Sequence, residues 1–140
     1  MARARETQGV SGVVQIGLRA VEAGEMAGLD PARTFFAWEI VDATDEDWMG
    51  AVAELVRNKP VYVTIDMDAF DPSLVPATGT PEPGGLSWGQ VNRLLARIVG
   101  ASNVVGFDVV ELCPQPGAHA SEMVAAKLVY RFLTMIFVER

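Results

Sequence analysis

The sequence predicts an α/β fold in three layers, with helices on both faces of a mainly parallel sheet. Short apolar segments of strand length alternate with segments of helical periodicity, which is typical of βαβ units. The strand segments are apolar on successive residues, as expected of strands that are buried on both faces. The helical segments begin at capping patterns. The length of 140 residues fits one domain.

Four segments have the length and the β-branched and aromatic content of buried strands. They are residues 12–18, 34–40, 61–68 and 103–112. A parallel sheet built from them would bring their carboxyl ends to one edge, where ligands bind in open α/β sheets.

Three helices are predicted between and after these strands. The first begins at a capping pattern at Thr44 and ends before Pro60. The second begins at a similar pattern at Ser87 and ends at Gly100. The third begins near Ser121 and carries one apolar stripe, formed by Val124, Leu128, Phe132 and Ile136.

The composition is that of an acidic globular protein. Eleven Lys and Arg against eighteen Asp and Glu give a net charge of −7, the wrong sign for binding nucleic acid. The single cysteine, Cys113, excludes an intramolecular disulfide and a cysteine-based zinc site. No segment has the pattern of a signal peptide or the length of a membrane span. We therefore expect a cytoplasmic protein without nucleic-acid or membrane partners.

A proline-rich segment over residues 71–85 separates the third strand from the second predicted helix. A short turn would normally make this connection. Long ordered loops of this kind usually border a site.

Asp66 and Asp68 follow the apolar residues of the third strand. Residues i and i+2 of a strand point to the same face, so their carboxylates should converge. Two such charges repel unless a cation lies between them, and a divalent cation that prefers oxygen ligands is the simplest one. The alternative is that one aspartate caps the following turn while the other is solvated.

Asp108 and Glu111 follow the apolar residues of the fourth strand and would reach the same edge if the two strands are neighbours. Glu111 would then be an anionic anchor for a cationic substrate; alternatively, it bonds to the loop backbone. We interpret His119, the only histidine, as a loop or cap residue, and Cys113 as a packing residue.

These segments together resemble the ureohydrolase family of manganese enzymes, which includes arginase, agmatinase and guanidinobutyrase. Residues 64–86 resemble its signature, with Asp-x-Asp-x-x-Asp-Pro followed by Thr-Gly-Thr-Pro-Glu-Pro-Gly-Gly-Leu. Residues 104–114 resemble a later Asp-x-x-Glu-x-x-Pro segment, and residues 13–25 resemble a strand-to-loop stretch containing Gly-x-Arg. The nearest resemblance within the family is to bacterial agmatinases.

The resemblance implies an arginase-like fold and an enzyme of polyamine biosynthesis, which hydrolyses agmatine to urea and putrescine. Asp66 matches the bridging ligand of a binuclear manganese centre, and Asp68 matches a ligand of one ion. Glu111 matches the glutamate that receives the guanidinium. Complete relatives are oligomeric, so a homo-oligomer is implied for the complete protein.

The sequence departs from the family pattern in its ligand set. It contains neither the Gly-Gly-x-His segment nor the Asp-Ala-His-x-Asp motif of the family's first half. We therefore expect residues 1–140 to be the C-terminal portion of a single ureohydrolase domain and to be inactive alone.

Two alternatives remain open. One is a non-catalytic pseudoenzyme, or a half-subunit that complements a partner. The other is a phosphatase of the haloacid-dehalogenase type, in which the first aspartate of Asp-x-Asp attacks phosphorus and the second acts as acid and base.

Overall fold

The computed structural model describes residues 2–117 and 119–138. Its helices and strands alternate through most of the chain, and short 3₁₀ turns cover Pro31–Arg33 and Met67–Ala69. The elements are α1 (Ala2–Arg5), β1 (Gln15–Leu18), α2 (Ala23–Met26), β2 (Thr34–Phe36), α3 (Ala37–Asp42), α4 (Asp47–Val56), β3 (Pro60–Asp66), α5 (Trp88–Ala101), β4 (Asn103–Val110) and α6 (Ala120–Phe137). No helix among the described residues is long and apolar enough to cross a membrane.

The strands form two parallel pairs, which confirms the α/β class with parallel strands. β1 pairs with β2, and β3 pairs with β4. Across the second pair Asp66 lies opposite Val110, so the carboxyl ends of β3 and β4 meet at one edge. Within the described residues the two pairs are separate sheets, whereas the sequence analysis expected one.

Helices α5 and α6 cover one face of the β3–β4 pair. Phe132 of α6 is fully buried and packs edge-on against Phe107 of β4, with ring centroids 4.9 Å apart. Leu95 of α5 lies in the same buried cluster. On β3, exposed residues alternate with less exposed ones, and Tyr62 is 60% exposed. Within residues 2–117 and 119–138, the helices therefore leave the second face of the pair open.

The helix starts follow local hydrogen bonds. At α5 the predicted capping box is confirmed, because the Ser87 hydroxyl oxygen accepts from the Gln90 N–H and the Gln90 Oε1 accepts from the Ser87 N–H. The predicted start of α4 at Thr44 is wrong. The Asp45 carboxylate accepts from the Asp47 N–H, and α4 begins at Asp47.

The predicted strand over residues 34–40 is wrong beyond Phe36, because the chain turns there into α3. The Glu39 carboxylate accepts from the Phe36 N–H at 3.4 Å and caps this helix. A short apolar run fits a strand and a buried helix equally well. The other three strands are confirmed, over Gln15–Leu18, Pro60–Asp66 and Asn103–Val110.

Candidate functional site

A cavity of about 390 Å³ opens at the carboxyl ends of β1 and β3. Side chains of α5 and Leu86 contribute to its apolar wall. Its charged and hydroxyl-bearing lining consists of Arg19, Asp66, Asp68, Thr64, Thr80 and Glu82. Two of the three predicted site residues therefore line one cavity.

Asp66 is the last residue of β3, and the 3₁₀ turn that follows brings Asp68 beside it. The Asp66 Oδ1 accepts from the Asp68 N–H at 2.8 Å. The predicted convergence is therefore present, but the reason given for it was wrong: Asp68 lies in the turn and not on the strand. Asp66 caps this turn, as expected under the alternative in which one aspartate is a capping residue.

The pKa of Asp66 is raised above its ordinary value. Loss of solvent is the largest cause, although part of the side chain is still reached by water, and the negative charges of Asp68 and Glu111 add to it. The Asp68 N–H and the Arg19 guanidinium oppose the shift. Burial therefore disfavours the charged form of Asp66 more than its hydrogen bond and Arg19 favour it.

Asp68 presents one satisfied and one free carboxylate oxygen. Its Oδ2 accepts from the Thr80 hydroxyl at 3.1 Å. Its Oδ1 is buried and has no hydrogen-bond partner. Buried polar atoms are nearly always partnered, and the Oδ1 of Asp108 within β4 is likewise buried without a partner. Asp68 differs from Asp108 in having a second carboxylate, that of Asp66, beside it at the cavity, and this pair fits a cation that prefers oxygen ligands.

The two aspartates fit as part of a metal site and do not complete one. Within residues 2–117 and 119–138, no group of three or more His, Cys, Asp or Glu side chains is arranged to hold a metal ion. Divalent ions of this kind take about six ligands. Further ligands would have to come from other polypeptide or from water.

Glu111 lies next to this site without lining its cavity. It directly follows Val110, the cross-strand neighbour of Asp66, and it is exposed. Its backbone is left-handed, with φ of 61°. Asp108 does not reach the edge as expected, because it lies within β4 and accepts from the Tyr62 hydroxyl at 3.1 Å. That bond raises the pKa of Tyr62.

The proline-rich loop is closed at its base by backbone bonds. The Leu86 N–H donates to the Ala69 carbonyl at 2.8 Å, and the Asp71 N–H donates to the Leu86 carbonyl at 3.1 Å. The Asp71 carboxylate accepts from the N–H groups of Ser73, Gly84 and Gly85. The bonds from Ser73 contribute most, and together these bonds lower the pKa of Asp71 to about 2.

Two residues of the site had no role in the sequence analysis. Arg19 and Thr80 both contact Asp68. The only available signal was their position, in the Gly-x-Arg stretch and in the Thr-Gly-Thr part of the loop. His119 is the N-cap residue of α6 and lies 3.1 Å from Glu122, which fits the predicted cap. Cys113 is exposed, so the packing role expected for it is wrong.

Comparison with known proteins gives one family. A sequence profile described as the arginase family matches residues 1–135. The N(1)-aminopropylagmatine ureohydrolase of Synechocystis sp. is 38% identical over 99 residues, which are 71% of this chain and 32% of that protein. The agmatinase of Pyrococcus horikoshii is 40% identical over 99 residues, which are 69% of this chain and 35% of that protein.

Solved structures show the same similarity. The agmatine ureohydrolase of Thermoplasma volcanium superposes with a TM-score of 0.79 and 33% identity, over 96% of this chain and 45% of that one. The arginase of Bacillus caldovelox superposes with a TM-score of 0.69 at 24% identity, which bears on the fold alone. The chain thus spans about a third of the length of the curated relatives it matches and under half of these structures.

Proposed function

The chain belongs to the arginase family, and from this membership we propose that it is a portion of a ureohydrolase that hydrolyses agmatine to urea and putrescine. Its similarity to an N(1)-aminopropylagmatine ureohydrolase and to an agmatinase supports this class of substrate. The observation that carries the proposal is the pair of aspartates at the strand edge, with the buried, unpartnered Oδ1 of Asp68. The family membership excludes the phosphatase alternative.

Asp66 and Asp68 are the residues of this chain that would hold manganese. Manganese bound there would supply Lewis acidity that activates a water molecule near neutral pH. The charge of the site supports this assignment, because two adjacent carboxylates that repel each other gain from a shared cation.

Glu111 would receive the substrate. A guanidinium is cationic at any physiological pH and carries five N–H donors in one plane, which a carboxylate can accept in pairs. Glu111 follows the strand neighbour of Asp66, so a guanidinium held there would lie beside the aspartates. Hydrolysis would break one carbon–nitrogen bond of the guanidinium. The water oxygen stays on carbon as the urea oxygen, and both water protons leave on the nitrogen, which departs as an alkylammonium ion.

The missing ligands support a further part of the proposal. In the described residues no group of three or more potential ligands is arranged to hold a metal ion, and the chain spans 45% of the Thermoplasma structure. We therefore propose that the active enzyme needs polypeptide equivalent to the rest of that domain and that this chain alone is inactive.

A urea assay with manganese tests the proposal. The 140-residue chain is assayed alone and mixed with the N-terminal half of a family member, with agmatine, arginine and guanidinobutyrate as substrates. We expect no urea from the chain alone and urea from agmatine in the mixture. The same mixture with Asp68→Asn is the matched control and should release no urea. Urea release by the chain alone, or by the Asp68→Asn mixture at the original rate, would contradict the proposal.

A non-catalytic role, as a pseudoenzyme or a complementing half-subunit, is the second candidate. It is favoured by the lack of a three-residue metal cluster among the described residues. The same mixture separates the two roles: binding of the partner half without any urea release indicates a non-catalytic module.

A further inference from the structure

Arg19 joins three segments of the chain around the two aspartates. It directly follows β1, and its guanidinium donates to the Asp68 carbonyl at 2.5 Å and to the Phe70 carbonyl at 3.3 Å. It also donates to the Glu82 carbonyl, through Nη2 at 2.9 Å and Nε at 3.1 Å. The end of β1, the turn after β3 and the proline-rich loop are therefore tied together by one side chain.

These bonds are to the backbone, although acidic side chains line the same cavity. In the part of the chain that the structure describes, Arg19 is in no ion pair. A guanidinium that directs its donors to carbonyl oxygens fixes the course of the backbone and leaves the carboxylates free for another cation.

Asp68 is consequently held at three points. Its carbonyl accepts from Arg19, its N–H donates to Asp66, and its Oδ2 accepts from Thr80. Thr80 lies two residues before Glu82, whose carbonyl Arg19 also binds. The remaining atom, the unpartnered Oδ1, takes its direction from these contacts.

We propose that Arg19 is a positioning residue, which orients the Asp68 carboxylate by tying the loop over residues 71–85 to the turn after β3. This role deepens the proposed function and rests on it, because Asp68 is there a metal ligand. Lysine would not reproduce these contacts, because its ammonium ends one bond short of the Nη2 position that donates to all three carbonyls. It also has no counterpart of the Nε–H that donates to the Glu82 carbonyl. Side chains that orient metal ligands typically change metal affinity by 10- to 100-fold when they are removed.

Manganese affinity of the full chain is the first measurement, read from the electron paramagnetic resonance signal of free Mn²⁺. We expect Arg19→Gln and Arg19→Lys each to weaken binding by about 10- to 100-fold. The control is Arg97→Gln on α5, an exposed arginine without side-chain hydrogen bonds in the described part of the chain, and it should bind as the wild type does. Wild-type affinity in Arg19→Lys would overturn the role, because charge alone would then suffice.

Amide hydrogen exchange of the metal-free chain is the second measurement. Exchange at residues 84–86 should become at least about tenfold faster in both Arg19 variants, because charge-assisted bonds that fix the loop are lost. Exchange within α5 should stay unchanged and serves as the test of folding. Unchanged exchange at residues 84–86 would overturn the role. One combined outcome separates the two proposals. If exchange at residues 84–86 is faster in the Arg19 variants but the wild type binds no manganese, the positioning role is supported and only the proposed metal site is contradicted.

Thr80→Val tests the same link without changing Arg19. It removes the bond from the loop to the Asp68 Oδ2 and should also weaken manganese binding by about tenfold. Wild-type affinity in this variant would overturn the proposed route from Arg19 through the loop to Asp68.

Discussion

At the scale of single residues, Asp71 shows how the loop depends on one ionised carboxylate. Its side chain accepts from the N–H groups of Ser73, Gly84 and Gly85, which close the two ends of the loop onto each other. Because these donors favour the charged form, the pKa of Asp71 falls to about 2 from an ordinary value of 3.8.

Asp71→Asn should therefore lower stability at neutral pH. A pKa that is lowered by folding stabilises the protein fully above the unfolded value of 3.8, and this contribution disappears as the pH falls towards 2. In urea unfolding we expect the variant to have a lower midpoint than the wild type at pH 7 and the difference to shrink between pH 4 and 2. Asp42→Asn, at an exposed aspartate, is the control. A difference that stays constant with pH would contradict the assignment.

Local sequence features could identify some of the site residues but not others. Asp66 and Asp68 could be predicted because a strand end and a turn are local features, and two acidic residues there are conspicuous. Asp108 was misplaced because the strand continues past it to Val110. Arg19 and Thr80 could not be assigned because the residue they contact, Asp68, is 49 and 12 residues away from them along the chain. Contacts of this kind depend on tertiary structure.

At the scale of elements, the loop over residues 71–85 relies on a close backbone approach at its end. A Cβ added at Gly85 would lie 2.5 Å from backbone atoms of Phe70 and Asp71. Backbone at this distance cannot move aside as a flexible side chain can, so the two segments pack this tightly only with glycine there.

Gly85→Ala should therefore destabilise the chain by about 1–3 kcal/mol, the usual cost of overpacking. Gly79→Ala is the matched control in the same loop, because a Cβ there meets nothing within 4 Å. The free energy of unfolding in urea measures both. Equal stability of the two variants would show that the close approach at Gly85 is not required.

The prediction of elements succeeded where periodicity was long and failed where it was short. Helices α5 and α6 were predicted because their apolar stripes extend over several turns. The segment over residues 34–40 is too short for its period to be read, and it contains both β2 and α3.

At the scale of the whole molecule, the chain exposes apolar side chains on two surfaces. On α6, Met123, Tyr130 and Phe137 follow one another at seven-residue spacing and are 66–76% exposed. On the β3–β4 pair, Tyr62 and Val105 are 60% and 61% exposed. Contiguous exposed apolar side chains favour association.

We therefore predict that the isolated chain associates with itself. In sedimentation velocity, the average mass of the wild-type chain should rise with protein concentration. The double variant Met123→Lys/Tyr130→Lys should have a lower average mass at the same concentration. Val10→Lys, at an exposed valine away from both surfaces, is the control and should leave association unchanged. A wild-type chain that sediments as a monomer at all concentrations would contradict this expectation.

The arrangement of the sheet was the least predictable feature. Strand content and parallel direction could be inferred, since both follow from local patterns and from the βαβ alternation. The separation into two pairs could not, because nothing in the apolar pattern of β1 or β3 indicates which strand lies beside it.

Metal binding by the pair of aspartates tests the central claim most directly. Manganese is titrated into the wild-type chain and into Asp66→Asn, Asp68→Asn and Asp108→Asn, with bound ion followed by electron paramagnetic resonance. The proposed site predicts that the wild type binds manganese and that Asp66→Asn and Asp68→Asn lose this binding. Asp108→Asn should bind as the wild type does, because Asp108 lies within β4. Equal binding by all four proteins would contradict it, and so would a wild-type chain that binds no manganese.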